Sequence, residues 1–296
     1  MKRFIRNLLK KLPYLRQTLF LKGAITGHFY SPIPSIQHLR KHEREIFETV
    51  PRYVPGLDLN EQEQLQLVDR FRTYYTEQPF PPERSERFRY FFENGAFRYS
   101  DAIFLYCMMR LKRPKRIIEV GSGYSSCLML DTNETDFQNS IRCTFIEPYP
   151  KLLLSLLKDT DSDRIELIGK PVEEVPLETF SRLSSGDFLF IDSTHVAKAG
   201  SDVNHIFTNI LPALQPGVYV HFHDIFYPFE YPKEWIYDGK AWNEAYVLRA
   251  FLQFNDRFKI QLFPNFLMHF HEELFAKHMP LCLKDPGGSI WLRRVS

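Results

Sequence analysis

Short apolar runs alternate with amphipathic segments from residue 116 to the end of the chain. The apolar runs predict strands at seven places: 116–120, 142–147, 165–168, 187–192, 217–223, 257–263 and 289–293. Segments with helical periodicity lie between most of them, at about 124–131, 149–159, 172–183, 203–212 and 241–254. Strands separated by helices are typical of a doubly wound α/β fold with a mostly parallel sheet. We therefore expect one mostly parallel sheet of seven strands.

Two helices are predicted ahead of the first strand. The first covers residues 60–76, and its apolar stripe consists of Leu65, Val68, Phe71 and Tyr75. The second follows residue 99, where Ser100 is the expected N-cap and Asp101 lies in the first turn. These patterns divide the chain into an N-terminal basic segment with a helical cap, residues 1–95, and an α/β domain, residues 96–296.

The first residues of the chain form a basic amphipathic segment. Residues 1–42 carry nine Lys or Arg and no Asp or Glu, and apolar side chains recur at helical spacing before Pro13. Such a segment is typical of peripheral contact with an anionic membrane surface or an acidic partner, which we assign to residues 1–22. The alternative is a helix that packs on its own domain or on a partner subunit.

Charge and cysteine usage limit the class of protein. The chain of 296 residues has a net charge of +2, and outside the basic segment acids outnumber bases. A nucleic-acid enzyme more often carries its positive charge around the active site, so we expect no nucleic-acid partner. The four cysteines are scattered and show no C-x-x-C pair or zinc spacing. Together with the lack of an apolar run of about 18 residues, this favours a cytoplasmic protein.

The stretch "IIEVGSGYSSCLML" places a tight turn between the first predicted strand and a helix. Glycines there let the backbone approach a ligand, so phosphate, a dinucleotide and S-adenosylmethionine are the candidates. The dinucleotide pattern G-x-G-x-x-G fails because its sixth position is Ser126, and Glu119 would repel a pyrophosphate. No Gly-Lys-Ser/Thr follows, which excludes a P-loop. A carboxylate beside the turn suits a cationic ligand instead.

The pattern Glu119-x-Gly121-x-Gly123 resembles the first motif of class I S-adenosylmethionine-dependent methyltransferases. The second strand strengthens this resemblance, because it ends in Glu147, where a carboxylate can accept hydrogen bonds from both ribose hydroxyls. The resemblance implies S-adenosylmethionine as cofactor. The residues expected to hold it are Glu119, Gly121, Ser122, Gly123, Glu147, Asp192 and Ser100.

Asp192, His223 and Asp224 follow the fourth and fifth predicted strands, so all three should reach the carboxyl edge of the sheet. Residues 95–296 resemble bacterial class I methyltransferases encoded with glycan and secondary-metabolite genes, and more distantly catechol O-methyltransferase. In catechol-type enzymes, two aspartates and an asparagine at these positions hold magnesium. Asp192 and Asp224 match two of these ligands, but Ile225 replaces the asparagine. A divalent metal at the two aspartates therefore stays open, and a metal-free site is favoured.

The expected reaction is O-methylation of a small-molecule or glycan-type acceptor. His223 is the expected base, with Asp224 and Asp192 beside it, because histidine titrates near neutral pH. The predicted acceptor-binding residues are His195, Trp242, Tyr246 and Arg249. The last three would share one helical face at i, i+4 and i+7. Two alternatives remain: a non-catalytic binding or scaffold protein on the same fold, and a nicotinamide-dependent oxidoreductase.

Overall fold

The computed structural model describes residues 27–296, which form two compact units. The described part of the first unit comprises residues 27–49 and 232–241. It contains an α-helix at Ile36–Lys41, a π-helical turn at Arg44–Glu48 and a short helix at Lys233–Tyr237. Glu43 joins its two segments, accepting hydrogen bonds from Lys233 Nζ at 2.5 Å and from the Tyr237 hydroxyl at 2.6 Å. The basic segment predicted at residues 1–22 lies outside the described residues.

The second unit, residues 50–231 and 242–296, is built on one seven-stranded sheet. Its strands are β1 Arg116–Val120, β2 Arg142–Ile146, β3 Ile165–Ile168, β4 Phe188–Ile191, β5 Tyr219–His223, β6 Phe258–Leu262 and β7 Ser289–Arg294. Their order is β3-β2-β1-β4-β5-β7-β6. The first five strands run parallel, and β7 pairs antiparallel with both β5 and β6. The predicted α/β fold with a mostly parallel seven-stranded sheet is therefore confirmed.

Ten α-helices in the second unit connect or cover these strands. They are α1 Glu61–Glu77, α2 Tyr99–Lys112, α3 Tyr124–Phe137, α4 Lys151–Leu156, α5 Leu177–Phe180, α6 Asp202–His205, α7 Leu211–Ala213, α8 Glu244–Leu252, α9 Pro264–Phe270 and α10 Glu272–His278. A π-helical stretch, Ile206–Ile210, joins α6 to α7, and 3₁₀ turns lie at Val172–Glu174 and Pro280–Lys284. None of the helices described between residues 27 and 296 is both long and apolar enough to cross a membrane.

The two helices ahead of β1 differ in detail from their predictions. In α1 the buried residues are Gln64, Leu67, Val68 and Phe71, so the buried face is rotated relative to the predicted stripe. Gln64 tolerates burial because its side-chain amide is hydrogen-bonded at both ends: the nitrogen donates to the Leu59 carbonyl, and the oxygen accepts from the Phe263 N–H. Ser100 as the N-cap of α2 was wrong. The helix begins at Tyr99 with Arg98 as its N-cap, which leaves Ser100 fully buried in the first turn.

A buried charge network holds α3 in place. Arg89 binds Asp161 through two nitrogens, at 2.7 and 2.5 Å, and donates from a third nitrogen to Asp131 at 2.6 Å and Glu134 at 2.9 Å. Arg89, Asp131 and Asp161 are almost completely buried. Charges removed from water are tolerated only when they are paired and hydrogen-bonded, as they are here. The network therefore ties residues 80–97 and the loop after α4 to the helix that starts at the glycine turn.

Candidate active site

The turn after β1 is closed by contacts between strand ends. The Gly121 N–H donates to the Ile146 carbonyl at 3.0 Å, and the Asp192 N–H donates to the Val120 carbonyl at 2.8 Å. Gly121 has a φ of +79°, and a Cβ added there would lie 1.9 Å from the Asp192 carbonyl oxygen. No real structure tolerates such a contact, so glycine is required before any ligand is considered. Glycine is needed at this position because the ends of β1, β2 and β4 meet there and leave no space for a side chain.

Glu119 lies one residue before the end of β1 and is fully buried. Its carboxyl oxygens accept hydrogen bonds from Ser125 Oγ at 2.6 Å and from Ser126 Oγ. Ser126 Oγ in turn accepts from the Gly123 N–H at 3.0 Å. Burial raises the pKa of Glu119 to about 8, although the serine hydroxyls oppose this effect. In this structure Glu119 stabilises the start of α3 through its hydrogen bonds with the two serines. Its predicted contact with a cofactor stays a prediction.

The raised pKa of Glu119 gives a prediction for stability. The folded state keeps this proton up to about pH 8, whereas the unfolded state loses it near the ordinary value of 4.5. The unfolded state therefore binds fewer protons between these values, and stability must fall as pH rises through that window. A Glu119→Gln variant lacks this titration. The free energy of unfolding of the wild type, from urea unfolding, should fall relative to this variant between about pH 5 and pH 8 and then level off.

The matched control is Glu178→Gln, since Glu178 is exposed at the start of α5. Its curve should run parallel to that of the wild type. If the Glu119→Gln curve is also parallel to the wild type, the proton on Glu119 does not belong to the folded state.

Glu147, directly after β2, is held by backbone groups. Its Oε2 accepts from the Ser122 N–H at 3.2 Å, and its Oε1 accepts from the Tyr149 N–H at 2.7 Å. Each oxygen keeps a further lone pair for a ligand. The side chain is half-buried and lines the cavity beside the turn. The glycine turn thus orients the carboxylate that the sequence predicts for ribose binding.

A cavity of about 350 Å³ opens at the carboxyl ends of β1, β2 and β4. It is lined by Val120, Gly121, Ile146, Glu147, Pro148, Tyr149, Pro171, Val172, Glu173, Asp192, Ser193, Thr194, Lys198, Gly200, Ser201 and Asp202. Glu119, Ser122, Gly123 and Ser100 are not among these lining residues. Ser100 is fully buried, and its N–H donates to the Asp285 carbonyl. The cavity therefore includes Gly121, Glu147 and Asp192 from the predicted cofactor set.

Three side chains converge at the carboxyl edge of β4 and β5. His195 Nε2 lies 3.3 Å from Asp192 Oδ1 and 3.5 Å from Asp224 Oδ2. One ligand atom from each of these residues falls within 4.8 Å of the other two. The other imidazole nitrogen, Nδ1, lies 2.8 Å from Oε2 of Glu244, which is itself fully buried at the start of α8. Asp192 also lines the cavity, so the cavity and this acidic cluster adjoin.

The His195 imidazole is held in a strained but well-supported loop. The residue adopts a left-handed conformation with φ of +61°, and its carbonyl accepts from the N–H groups of Asn243 and Glu244 at 2.9 and 3.2 Å. Burial disfavours the charged imidazole, but the carboxylates of Asp192 and Glu244 outweigh burial and raise the pKa of His195 to about 10. The free imidazole is therefore protonated at neutral pH and acts as a counter-ion to the surrounding acids.

His223, the predicted base, ends β5 and is buried. Its Nε2 lies 3.8 Å from Asp224 Oδ1, and its ring is 5.3 Å from the ring of Phe97. Burial lowers the pKa of His223, but the carboxylates of Asp224, Asp192 and Asp101 together raise it above the ordinary value. The side chain therefore borders the cluster from the sheet side. Its catalytic role stays a prediction.

Aromatic side chains stand beside His195. The Trp242 ring lies 4.3 Å from the imidazole, and Tyr231 contacts both Trp242 and Tyr246 edge to face at 6.0 and 5.8 Å. The predicted shared helical face was wrong, because α8 begins at Glu244 and Trp242 precedes it. Tyr246 is exposed, with its hydroxyl donating to Glu230, and Arg249 is half-buried further along α8. Trp242, Tyr231 and Tyr246 thus form one aromatic wall beside His195, although only Tyr246 lies on α8.

Sequence reasoning missed Glu244. An acid in the first turn of a helix is ordinarily interpreted as a favourable interaction with the helix dipole, and nothing local distinguishes it. Its role depends on a contact 49 residues away in sequence, with His195. Glu244 Oε1 also accepts from Ser193 Oγ at 2.9 Å.

Parts of the chain are similar to known proteins. Residues 118–225 match the family model described as a methyltransferase domain. An uncharacterised protein of Archaeoglobus fulgidus is 37% identical over 162 residues, which cover 53% of this chain and 72% of that protein. Among solved structures, the S-adenosylhomocysteine-bound methyltransferase PaMTH1 of Podospora anserina is 15% identical, with a TM-score of 0.44 over 93% of this chain and 100% of that chain. The O-methyltransferase TomG of Streptomyces achromogenes is 15% identical, with a TM-score of 0.42 over 88% of this chain and 96% of that chain.

The sheet order and the matched domain define the class. The chain belongs to the class I methyltransferase family, as its sequence resemblance implied, and it shares a family with the Archaeoglobus fulgidus protein. Its methyltransferase domain spans β1 to β5, the part of the sheet that carries the glycine turn, the cavity and the acidic cluster.

Proposed function

We propose that this protein transfers the methyl group of S-adenosylmethionine to a hydroxyl oxygen of a small-molecule or glycan-type acceptor. The observation that carries the proposal is the position of Asp192, which lines the cavity and also lies 3.3 Å from His195 in the acidic cluster. A donor in the cavity and an acceptor at the cluster would then meet at one side chain. Methyl transfer needs this kind of alignment between the two reactants.

The donor side of the proposal depends on charge and on prepared hydrogen bonds. S-adenosylmethionine carries an ammonium and a sulfonium, and the cavity is lined by the carboxyl groups of Glu147, Glu173, Asp192 and Asp202. Glu147 is fixed by two backbone N–H groups, so it can accept from ribose hydroxyls without reorganising. Gly121 brings the backbone to the wall of the same cavity. The same acids disfavour the pyrophosphate of a nicotinamide cofactor, which is the alternative ligand.

The acceptor side depends on the cluster and the aromatic wall. Trp242 and Tyr246 offer apolar faces to a sugar or a planar ring, and His195 offers a polar edge. In the reaction the acceptor oxygen attacks the methyl carbon in line, the S–CH₃ bond breaks, and S-adenosylhomocysteine leaves. The hydroxyl proton must go to a base. We assign that proton to the Asp224 and His223 pair, with Asp192 holding the methionine end of the donor.

The proposal predicts selective donor binding. Purified protein should bind S-adenosylhomocysteine in calorimetry and should not bind NAD measurably under the same conditions. Glu147→Gln should weaken S-adenosylhomocysteine binding by about 10-fold or more, because it removes the charge and one acceptor from hydrogen bonds to the ribose. Glu173→Gln is the matched control, since Glu173 lines the same cavity but lies on the exposed 3₁₀ turn after β3. It should change the affinity by less than about 3-fold.

Transfer itself is measured with methyl-labelled S-adenosylmethionine and a panel of phenols, catechols and sugars. Label on an oxygen of one of these acceptors would support the proposed methyl transfer. S-adenosylhomocysteine binding without transfer to any hydroxyl acceptor would favour the scaffold alternative. NAD binding in place of S-adenosylhomocysteine would overturn the proposal.

A further inference from the structure

We propose that the turn from His28 to Ser31 anchors the protein to an anionic lipid surface, with Phe29 and Tyr30 as the inserting side chains. This turn is defined here as the aromatic turn. The basic residues around it in the sequence would supply the attraction to the lipid headgroups. The proposal goes beyond methyl transfer and does not depend on it, since the aromatic turn belongs to the first unit and the candidate active site to the second.

A backbone hydrogen bond closes the aromatic turn. The Ser31 N–H donates to the His28 carbonyl at 2.8 Å, which makes Phe29 and Tyr30 the central pair of a β-turn. Both of these side chains are 80% exposed. Their ring centroids lie 4.3 Å apart, and the His28 ring stacks on the Phe29 ring at 4.1 Å. Single exposed apolar residues are ordinary, whereas a contiguous exposed group indicates an interaction surface.

The backbone of the aromatic turn suits contact with lipid. The Tyr30 N–H donates to His28 Nδ1 at 3.2 Å, and the Ile33 N–H donates to Ser31 Oγ at 3.1 Å. With the bond from the Ser31 N–H, three donors at the tip already have partners within the segment, and Pro32 has no N–H to satisfy. Because a polar group that leaves water without a partner costs free energy, such a tip can enter the headgroup region at little cost.

The sequence around the aromatic turn carries only positive charge. Residues 1–42 contain nine Lys or Arg and no Asp or Glu. Two of these bases, Arg40 and Lys41, lie in the last turn of the helix that follows the aromatic turn. The first acid of the chain, Glu43, is bound by Lys233 at 2.5 Å, so its charge is already compensated. Basic residues of this kind are attracted by the negative surface potential of a membrane that contains anionic lipids.

The arrangement of the two rings favours a lipid surface over nucleic acid. Proteins that bind single strands also combine aromatic rings with positive charge, but their rings lie along a basic groove that follows the nucleic-acid backbone. Phe29 and Tyr30 instead occupy the tip of one turn, and outside residues 1–42 acids outnumber bases. Aromatic side chains at the headgroup level, with Lys and Arg beside them, are typical of proteins that lie on membranes.

The experiment is cosedimentation of the full-length protein with phosphatidylcholine vesicles that contain about 30% phosphatidylserine. We expect binding to these vesicles and at least about 10-fold weaker binding to phosphatidylcholine alone, because the attraction depends on anionic lipid. Raising the NaCl concentration from about 0.1 to about 0.5 M should also weaken binding, since salt screens exposed charges. Phe29→Ser and Tyr30→Ser together should weaken binding to the anionic vesicles by about 10-fold or more, because this apolar area no longer leaves water.

Tyr53→Ser is the matched control, because Tyr53 is 72% exposed but belongs to the second unit. It should leave vesicle binding unchanged. The circular dichroism spectrum of the double variant should match that of the wild type, since exposed side chains contribute little to stability. If the double variant does not fold, the two single variants decide.

Three results would overturn the proposal: no binding of the wild type to anionic vesicles, wild-type binding by the double variant, or equal weakening in Tyr53→Ser. Tighter binding to polyuridylate than to vesicles, lost in the double variant, would assign the aromatic turn to nucleic acid and would also overturn it. S-adenosylhomocysteine binding is measured separately, so failure of this proposal and failure of the proposed function give different results.

Discussion

Gly121→Ala is expected to give the largest loss of stability of any substitution considered. The added Cβ would lie 1.9 Å from the Asp192 carbonyl oxygen, and φ at this position is +79°. Backbone, not a flexible side chain, is the obstacle, so β1 and β4 must separate to relieve the clash. We expect a loss of about 4 kcal/mol or more in the free energy of unfolding, because the clash with backbone adds to the cost of a left-handed alanine, about 1–2 kcal/mol, and exceeds ordinary overpacking, about 1–3 kcal/mol. Urea unfolding followed by circular dichroism measures it.

Gly186→Ala is the matched control for this prediction. Gly186 also has a positive φ, of +93°, but a Cβ there would meet no atom within 4 Å. It should lose only about 1–2 kcal/mol, the ordinary cost of a left-handed alanine. Equal losses in the two variants would mean that φ alone matters and that the strand ends are not in contact as described. If Gly121→Ala folds normally but loses S-adenosylhomocysteine, ligand contact would be the main role of Gly121.

Arg89→Met is expected to give the second largest effect. Methionine fills part of the space but leaves Asp131 and Asp161 buried without their guanidinium partner. Removing one member of a buried ion pair costs about 3–5 kcal/mol, because an uncompensated charge remains in the interior. Thermal and urea unfolding should both report this loss. Since the network anchors α3, donor binding should weaken in the same variant.

Arg72→Met provides the comparison for a surface pair. Arg72 and Asp69 lie three residues apart on α1, and both side chains are exposed. This substitution should change the free energy of unfolding by about 0–1 kcal/mol. A similar change in Arg89→Met would show that water reaches the network and that it is not buried in solution.

The strands of the sheet could be predicted closely because buried parallel strands are continuous apolar runs. Each predicted strand from 116–120 to 289–293 overlaps an observed one, and the bounds differ by two residues at most. Helix starts were harder to predict. Ser100 is a good N-cap residue, yet burial of the whole first turn moved the cap to Arg98. Tertiary packing decides such positions, and a local pattern does not contain it.

The candidate active site likewise contains residues that the sequence could predict and residues that it could not. Residues at strand ends, such as Asp192 and Asp224, follow from topology, because parallel strands deliver their carboxyl ends to one edge. His195 lies a few residues beyond the end of β4, and its approach to both acids depends on a left-handed backbone that the sequence does not signal. Glu244 reaches it from a helix in another connection. Long-range contacts of this kind cannot be derived from spacing along the chain.

Asp192 is one side chain at the boundary of two regions, the cavity and the acidic cluster that it forms with His195 and Asp224. Any ligand in one region that changes the charge or position of its carboxylate changes the free energy of binding in the other. By thermodynamic reciprocity, the second ligand must then affect the first by the same factor. If the donor binds in the cavity and the acceptor at the cluster, as proposed, one coupling free energy links their two affinities. Which region fills first then depends on the concentration of each ligand relative to its own dissociation constant.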